Sequence, residues 1–253
     1  KLKNVLVTDF NGETIPSQYN NENEGSSILS FYAKTLYPLG ISSFKIQAKY
    51  DENHNNNIIN METKKKNEDK NIILKNKYVE WQFDVNGNLI SINKKPTSMM
   101  FMQYPTDTTT NLKGDAYQWR PMEKASNIIL CEKPSFINYC NTGNITSKLI
   151  LHYEKECVNG TETNITFTLN KIGPIEEQIE MSVDVEVGPI IHTNSEVAIR
   201  IQSSIVNENG HFYTDEGGFQ HRVRIFNANK DKDTLNNIAS NFFPIVSSAY
   251  IRD

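Results

Sequence analysis

Apolar and polar residues alternate strictly through Ile179-Glu-Met-Ser-Val-Asp-Val-Glu-Val187. Every second residue is apolar, and the residues between them are acidic or serine. Successive side chains of a β-strand point to opposite faces, so this pattern indicates a strand with one dry face and one wet face. It decides the fold class, because the same period of two recurs along most of the chain.

Other segments repeat this alternation and are separated by turn signals. Phe44–Tyr50 and Val79–Val85 both alternate, and Asn86-Gly87 then precedes Leu89–Ile92, which is a strong hairpin signal. Ser27–Leu36 has the length of a short helix, but it alternates too, so we predict a strand there. Long helical periodicity is absent. The sequence therefore predicts an all-β protein built of antiparallel β-sandwiches.

The clearest break in this pattern is residues 51–71. The segment is polar, with little to bury, and the basic run Lys64–Lys66 is diluted by neighbouring acidic residues. Such composition is typical of a linker or a mobile loop. We therefore predict one domain in residues 1–50 and a second in residues 72–253.

Size and charge exclude several classes of protein. The chain has 253 residues, enough for one large or two ordinary domains, and its formal net charge is −4. A broad attraction to nucleic acid or to an anionic membrane is not implied. No apolar run is long enough to span a membrane. The start at Lys1 turns polar too soon for a signal peptide, so we expect the signal of a secretory parent to lie upstream.

The three cysteines are Cys131, Cys140 and Cys157, and none forms a Cys-x-x-Cys pair. The turn-rich segment Asn141–Thr146 lies between two strand-like runs. If it is a hairpin turn, Cys140 lies near Ser147, and the same register brings Cys131 next to Cys157. We predict a Cys131–Cys157 disulfide. The alternative, three free buried thiols, stays open at this point.

Three sequons for N-glycosylation occur in the chain. They are Asn144-Ile-Thr, Asn159-Gly-Thr and Asn164-Ile-Thr. Asparagine is so frequent here that three sequons are no excess over chance. They permit glycosylation in a lumenal protein but do not establish that compartment.

The sequence contains no complete catalytic motif. The histidines lack metal-ligand spacing, and a site role for His221 is weaker than an ordinary surface role. Asp184 and Glu186 share a strand face roughly 7 Å apart, a spacing that glycosidase carboxylates also have. Glu180 and Ser182 share that face, which favours an ordinary solvated pattern. The residues alone predict β-sandwiches without a self-contained active site.

A series of motifs nevertheless resembles class II α-mannosidases, glycoside hydrolase family 38. In chain order these are Thr8–Gly12, Ile15–Gln18, Tyr37–Phe44, Asn76–Leu89, Gly114–Tyr117 with Arg120-Pro121, Val187–Pro189, Phe212–Gly218, Asn241–Pro244 and Ala249–Asp253. Each motif alone is weak. Their shared order covers nearly the whole chain and carries the resemblance.

The resemblance implies a fold and a place in a larger enzyme. Residues 1–50 correspond to the C-terminal part of a small β-sandwich, and residues 72–253 to the N-terminal part of a large supersandwich resembling galactose mutarotase. The chain ends at Asp253, just after a strand, where the family continues. An open strand edge needs a cover, so we expect one fragment of a processed or multi-chain protein.

The resemblance also implies a function. Family members hydrolyse terminal α-mannosyl linkages of N-glycans with retention, using an Asp nucleophile and zinc in a separate N-terminal domain. We therefore expect this chain to be inactive alone and to bind no zinc itself. Its expected partners are that catalytic domain and a mannose-containing glycan, not nucleic acid. The expected compartment is the secretory lumen, a lysosome or a vacuole.

One site residue carries over from the family, Tyr117. The corresponding tyrosine lies at the rim of the active site, where its hydroxyl can bond to the sugar; the alternative is a tyrosine packed at a sandwich edge. Asp115, Gln118 and Trp119 depart from the family pattern, and Trp119 suits either a sugar face or the core. The competing functions are a stand-alone carbohydrate-binding module and a purely structural β domain.

Overall fold

The structure is a computed structural model that describes most of the chain. It covers residues 4–23, 26–36, 38–49, 58–60, 62–63, 70–105, 126–127, 131, 133–158, 160–189, 195–225 and 243–252.

The described residues form strands almost throughout. In chain order these are β1 (Asn4–Thr8), β2 (Thr14–Ile15), β3 (Ser17–Asn23), β4 (Ser26–Phe31), β5 (Lys45–Lys49), β6 (Ile58–Asn60), β7 (Glu62–Thr63), β8 (Ile72–Lys75), β9 (Glu80–Phe83), β10 (Leu89–Ile92), β11 (Lys95–Pro105), β12 (Ser126–Asn127), β13 (Phe136–Cys140), β14 (Thr146–Tyr153), β15 (Thr163–Asn170), β16 (Met181–Val187), β17 (Ser195–Ser203), β18 (His211–Glu216), β19 (Gln220–Ile225) and β20 (Ala249–Tyr250). A short helix, α1, covers Ile175–Gln178, and a 3₁₀ turn covers Lys155–Cys157. The all-β prediction is confirmed.

The chain divides into two compact units. Unit 1 comprises Lys1–Lys94 and Cys131–Pro189, and unit 2 comprises Lys95–Leu130 and Ile190–Asp253. In unit 1 the strand orders are β2-β1-β5, β4-β3-β6, β8-β9-β10 and β16-β15-β14-β13-β7. In unit 2 they are β12-β11-β17 and β19-β18-β20. Each unit is therefore a set of predominantly antiparallel sheets.

Two short strands lie inside the segment that the sequence predicts to be a linker or a mobile loop. β6 pairs parallel with β3, opposite Tyr19 at Ile58, and β7 pairs antiparallel with β13, opposite Asn138 at Thr63. Part of residues 51–71 thus contributes to the sheets of unit 1. Composition missed this because a strand of two or three residues has no period to detect.

The core of unit 1 lies between the alternating faces of β14 and β15 and the neighbouring strands. Leu149, Phe167 and Leu169 are almost fully buried, and the ring of Phe167 meets that of Phe83 edge-on, with centroids 4.8 Å apart. Burying each such side chain stabilises the fold by about 1.5–3 kcal/mol. On β16 the valines are half-buried and the residues between them exposed, as the alternation predicts.

The predicted hairpin after Val79–Val85 is present, but Asp84 shapes its turn. The Asp84 Oδ1 accepts hydrogen bonds from the main-chain amides of Asn86 and Asn88, both at 2.8 Å. Gly87 takes the left-handed conformation, with φ of +83°, and an added Cβ would lie 2.5 Å from Leu151 Cδ2. Glycine is required here by both backbone and space.

A second turn in unit 1 is built in the same way. Asp9 Oδ1 accepts hydrogen bonds from the amides of Asn11 and Glu13 at 2.9 and 2.8 Å, and Gly12 has φ of +83°. The segment Asp9–Gly12, one of the family-like motifs, is therefore a turn that joins β1 to β2 and is stabilised by the side chain of its own Asp9.

The strand predicted in Ser27–Leu36 is confirmed for its first half, as β4. Beyond Phe31 the alternation continues in sequence, but the ladder to β3 ends at the pair Ser17–Phe31. Tyr32 then donates its amide to the carbonyl of Pro16 at 3.1 Å. The strand in Phe44–Tyr50 is also present, as β5.

Candidate functional site

The predicted sugar-site residue, Tyr117, lies outside the described residues, as do Trp119 and the sequon residue Asn159. The role of Tyr117 therefore remains a prediction from the resemblance. Among the described residues, several polar and aromatic side chains come together on the three-stranded sheet β19-β18-β20, which we call the terminal sheet.

Asp215 holds the terminal sheet to the segment before β20. Its side chain is 2% exposed, and its Oδ1 accepts from the amides of Val246, Ser247 and Ser248 at 3.0–3.1 Å. Its Oδ2 accepts from the Ser247 hydroxyl at 2.7 Å. These hydrogen bonds, that of the Ser248 amide first, hold the pKa of Asp215 far below its usual range.

This environment assigns Asp215 a structural role. A carboxylate held ionised has no proton to donate as a general acid, and its lone pairs are occupied by the 246–248 segment. The Phe212–Gly218 motif thus contains Asp215, the residue that joins the terminal sheet to the 246–248 segment.

The contacts of Phe212 account for a second motif of this region, Asn241–Pro244. Its ring meets that of Phe243 edge-on at 5.2 Å, and the guanidinium of Arg224 lies 5.2 Å over the Phe243 ring. Arg224 Nε also donates to Thr214 Oγ1 at 3.0 Å. The aromatic residue before Pro244 therefore packs on β18 and needs no catalytic role.

Tyr213 lies in a row of flat side chains across the terminal sheet. It stacks on Tyr250 with centroids 4.7 Å apart and planes 8° from parallel, and the guanidinium of Arg252 lies 4.8 Å over its ring. Arg252 Nη2 also donates to the Tyr213 hydroxyl at 3.0 Å. The His221 ring packs edge-on against Tyr250, and its Nε2 lies 2.8 Å from Ser248 Oγ. These two contacts account for His221 as a surface residue of the terminal sheet.

A cavity of about 390 Å³ opens beside this row. It is lined by residues 206–209, His211, Tyr213 and Arg252. Asn207 shapes its rim, because its Nδ2 donates to the carbonyl of His211 at 2.7 Å and its Oδ1 accepts from the amide of His211 at 3.0 Å. The cavity is the candidate binding site of unit 2.

The carboxylates of Asp184 and Glu186 lie exposed on β16. Ser182 Oγ donates to Asp184 Oδ2 at 3.3 Å, and Asn164 Nδ2 donates to Glu186 Oε2 at 3.4 Å. Neither carboxylate lies in a pocket that excludes water, which a glycosidase pair needs. The solvated strand face is the better interpretation of this pair.

The predicted cysteine pair lies together in unit 1. Cys131 and Cys157 form a disulfide with Cα atoms 5.0 Å apart, and Cys140 is a buried free thiol. The β13–β14 register pairs Cys140 with Lys148, one residue from the expected Ser147.

The two described sequon asparagines differ in their surroundings. Asn144 is exposed in the turn between β13 and β14. Asn164 is half-buried on β15, where its Oδ1 lies 2.8 Å from His152 Nδ1 and its Nδ2 is bonded to Glu186. Asn144 is therefore the more accessible of these two positions.

Two features are absent from the described residues, a cluster of metal-ligating side chains and a membrane-spanning helix. Among them, no three His, Cys, Asp or Glu side chains come together as a metal site requires. In the same part of the chain, no helix has the length and apolar character needed to cross a membrane.

Comparison with known proteins adds one match. The sequence model for the C-terminal domain of the glycosyl hydrolases of family 38 matches residues 74–253. No curated protein sequence matches the chain significantly. The match covers most of the chain and includes all of unit 2 and the larger part of unit 1.

Proposed function

The chain belongs to glycosyl hydrolase family 38 through its C-terminal domain, and from this membership we propose that it is the non-catalytic β portion of an α-mannosidase. The complete enzyme hydrolyses terminal α-mannosyl linkages of N-glycans with retention of configuration. This chain supports the catalytic domain and completes its sugar pocket. The family match over residues 74–253 is the observation that carries the proposal.

The carboxylates of the described residues support this division of labour. A retaining glycosidase needs two carboxyl groups about 5–5.5 Å apart, one as nucleophile and one as acid and base. Asp184 and Glu186 are solvated on a strand face, and Asp215 is saturated with structural hydrogen bonds. The proposal therefore places the nucleophile and zinc in the catalytic domain.

Tyr117 is the residue through which this chain reaches the sugar in our proposal. Its hydroxyl donates or accepts one hydrogen bond at the rim of the pocket, an assignment carried by the family-like Gly114–Tyr117 element. A tyrosine packed at a sandwich edge is the alternative. The two differ in their effect on catalysis, because a packed tyrosine loses little when its hydroxyl is removed.

We further propose that the enzyme works in the lumen of the secretory pathway, in a lysosome or in a vacuole. The Cys131–Cys157 disulfide suits an oxidising compartment. The exposed Asn144 is open to a glycosyltransferase. Protein isolated from its own cells should lose mass on treatment with an N-glycosidase. An unmodified protein in the cytosol would overturn this part of the proposal.

The decisive experiment joins the chain to the segment encoded upstream of it. We expect that segment to contain a His-x-Asp motif and a later catalytic Asp, to co-purify with this chain and to carry zinc. Together they should release p-nitrophenol from p-nitrophenyl α-D-mannopyranoside. An unrelated upstream domain, or a native start at Lys1, would overturn the proposal and favour a stand-alone carbohydrate-binding module.

The role of Tyr117 is tested in that complete enzyme with Tyr117→Phe. Loss of one hydrogen bond should lower kcat/KM about tenfold, since such a bond contributes about 1 kcal/mol or somewhat more. Tyr78→Phe is the matched control, because Tyr78 is exposed in the turn before β9. Equal activity of both variants would remove Tyr117 from the pocket and leave the rest of the proposal intact.

A further inference from the structure

We propose that the cavity beside Tyr213 and Arg252 in unit 2 binds one hexose unit of a glycan. The proposal rests on this chain alone and is independent of the hydrolytic function proposed above. A cavity of about 390 Å³ falls within the range of about 300–1,000 Å³ in which small-molecule sites occur.

Arg252 is held in place beside the cavity by Tyr213. Its guanidinium lies over the Tyr213 ring and gives one hydrogen bond to the Tyr213 hydroxyl. Tyr213 is in turn backed by Tyr250, its partner in the β18–β20 ladder. A guanidinium carries five N–H donors, and within the described chain Arg252 makes no ion pair. The hydrogen bond to the Tyr213 hydroxyl uses one of these donors, so the guanidinium has further donors to offer a ligand in the cavity.

Asn207 fixes the loop before β18 at the rim of the cavity. The side-chain amide of Asn207 donates one hydrogen bond to the main chain of His211 and accepts one from it. His211 and Glu208 also belong to the lining of the cavity. A neutral imidazole offers one donor and one acceptor, and a carboxylate offers acceptors only.

The chemistry of the ligand follows from this set of groups. Glu208 and Arg252 carry opposite formal charges that cancel, so the cavity has no net preference for an anion or a cation. It offers both donors and acceptors within one small volume. A neutral polyhydroxyl ring has both on each hydroxyl group and fits these requirements, whereas an anion would face the Glu208 carboxylate.

The test is a titration of the ¹⁵N-labelled chain, followed by amide chemical shifts. The probes are methyl α-D-mannopyranoside, glycerol, acetate and inorganic phosphate. We expect saturable shifts with the mannoside at residues 207–211, 213 and 252, and weaker effects with glycerol. No saturable shift up to the solubility of the mannoside, or tighter binding of acetate or phosphate, would overturn the proposal.

Variants locate the site. Arg252→Ala and Glu208→Gln should each weaken mannoside binding about tenfold or more, because hydrogen bonds to charged groups are lost. Tyr213→Phe keeps the ring but frees the guanidinium, and a severalfold loss is expected. Arg200→Ala is the control, an exposed arginine of β17 outside the cavity.

The spectra of the variants also report whether they fold. If Arg252→Ala disturbs the terminal sheet, Glu208→Gln and Tyr213→Phe still decide the question. Unchanged mannoside affinity in both of these variants would overturn the proposal. Failure here leaves the α-mannosidase assignment standing, because that is tested by assembly with the catalytic domain.

Discussion

Gln18 binds both the main-chain amide and the main-chain carbonyl of Thr146, a residue 128 positions later in the chain. Gln18 Oε1 accepts from the amides of Ile145 and Thr146 at 2.8 and 3.1 Å, and its Nε2 donates to the Thr146 carbonyl at 3.2 Å. Gln18 is 1% exposed. One buried amide thus joins β3 to the turn that starts β14.

Gln18→Leu should destabilise unit 1 strongly. The variant leaves two amides and a carbonyl buried without partners, and each such group costs about 1–3 kcal/mol. We expect the free energy of unfolding, measured in urea, to fall by about 3 kcal/mol or more. Gln47→Leu on β5, where Gln47 is exposed, should change it by less than about 0.5 kcal/mol. Similar small losses in both variants would contradict the role of Gln18 in joining β3 to the start of β14.

Gly143 is the residue that lets Gln18 come so close. An added Cβ would lie 2.3 Å from Gln18 Oε1 and from the Thr146 carbonyl oxygen. Gly143→Ala should therefore cost more than Gly12→Ala, where nothing lies within 4 Å and only the left-handed backbone is strained.

A double-mutant cycle tests whether the cost of Gly143→Ala comes from its contact with Gln18. Gly143→Ala should be less damaging in the Gln18→Ala background, since two of the three clashing atoms, Gln18 Oε1 and Nε2, are gone. The measurement is the shift in the urea midpoint of each variant. Additive losses would show that Gln18 and Gly143 do not interact.

The part of the fold that sequence predicts is the part with a local signal. Alternation identifies β9, β10 and β16, and Asn86-Gly87 identifies a hairpin. Gln18 has no such signal, because an alternating strand does not say which polar residue is buried or what faces it. Its partners come from the other end of unit 1, so a purely local pattern cannot reveal them.

The candidate site divides in the same way. Asp215 stands in a motif that the sequence singles out, but its role depends on three amides that follow it by about thirty residues. Asn207 belongs to no motif, and the Ala249–Asp253 motif gives no sign of the role of Arg252; the two residues line one cavity beside the terminal sheet. The sequence signal for this region is the series of family-like motifs Phe212–Gly218, Asn241–Pro244 and Ala249–Asp253.

Asp215→Asn should loosen the segment that leads into β20. An amide keeps one acceptor oxygen but presents an NH₂ group to main-chain donors, so at least one amide of Val246–Ser248 loses its partner. We expect faster hydrogen exchange of the Ser247 and Ser248 amides. Asp184→Asn, on the exposed face of β16, should leave those rates unchanged.

The same carboxylate should make the terminal sheet sensitive to acid. Its pKa is lowered in the folded state, so its stabilising effect is present above the ordinary Asp pKa of about 4 and is lost as the pH falls. Exchange at Ser247 should therefore lose its protection in acid, and Asp215→Asn should remove this dependence. Equal acid responses of the two proteins would contradict the role of Asp215.

The disulfide predicts a specific thiol count. Under non-reducing conditions the native chain should react with no more than a trace of thiol reagent, and the denatured chain with one equivalent, from the buried Cys140. Cys131→Ser with Cys157→Ser should lower the free energy of unfolding by roughly 3–4 kcal/mol, the value for a loop of this length. Three equivalents after denaturation would support the free-thiol alternative instead.

Tyr153 gives the fold a weakness at alkaline pH. Burial, and to a lesser extent the charge of Asp84, raises the pKa of Tyr153 to about 12 from an ordinary value of 10.0. Below pH 10 the phenol is protonated in both folded and unfolded states, and its full contribution is present. Between pH 10 and 12 only the unfolded state loses its proton, so stability falls with rising pH by about 2–3 kcal/mol.

Tyr153→Phe cannot ionise, so urea unfolding across this range should show a smaller loss in the variant. The two proteins share all their other side chains, so the remaining pH dependence cancels in the difference. Parallel stability curves for the two proteins would mean that the Tyr153 phenol is not held neutral by burial.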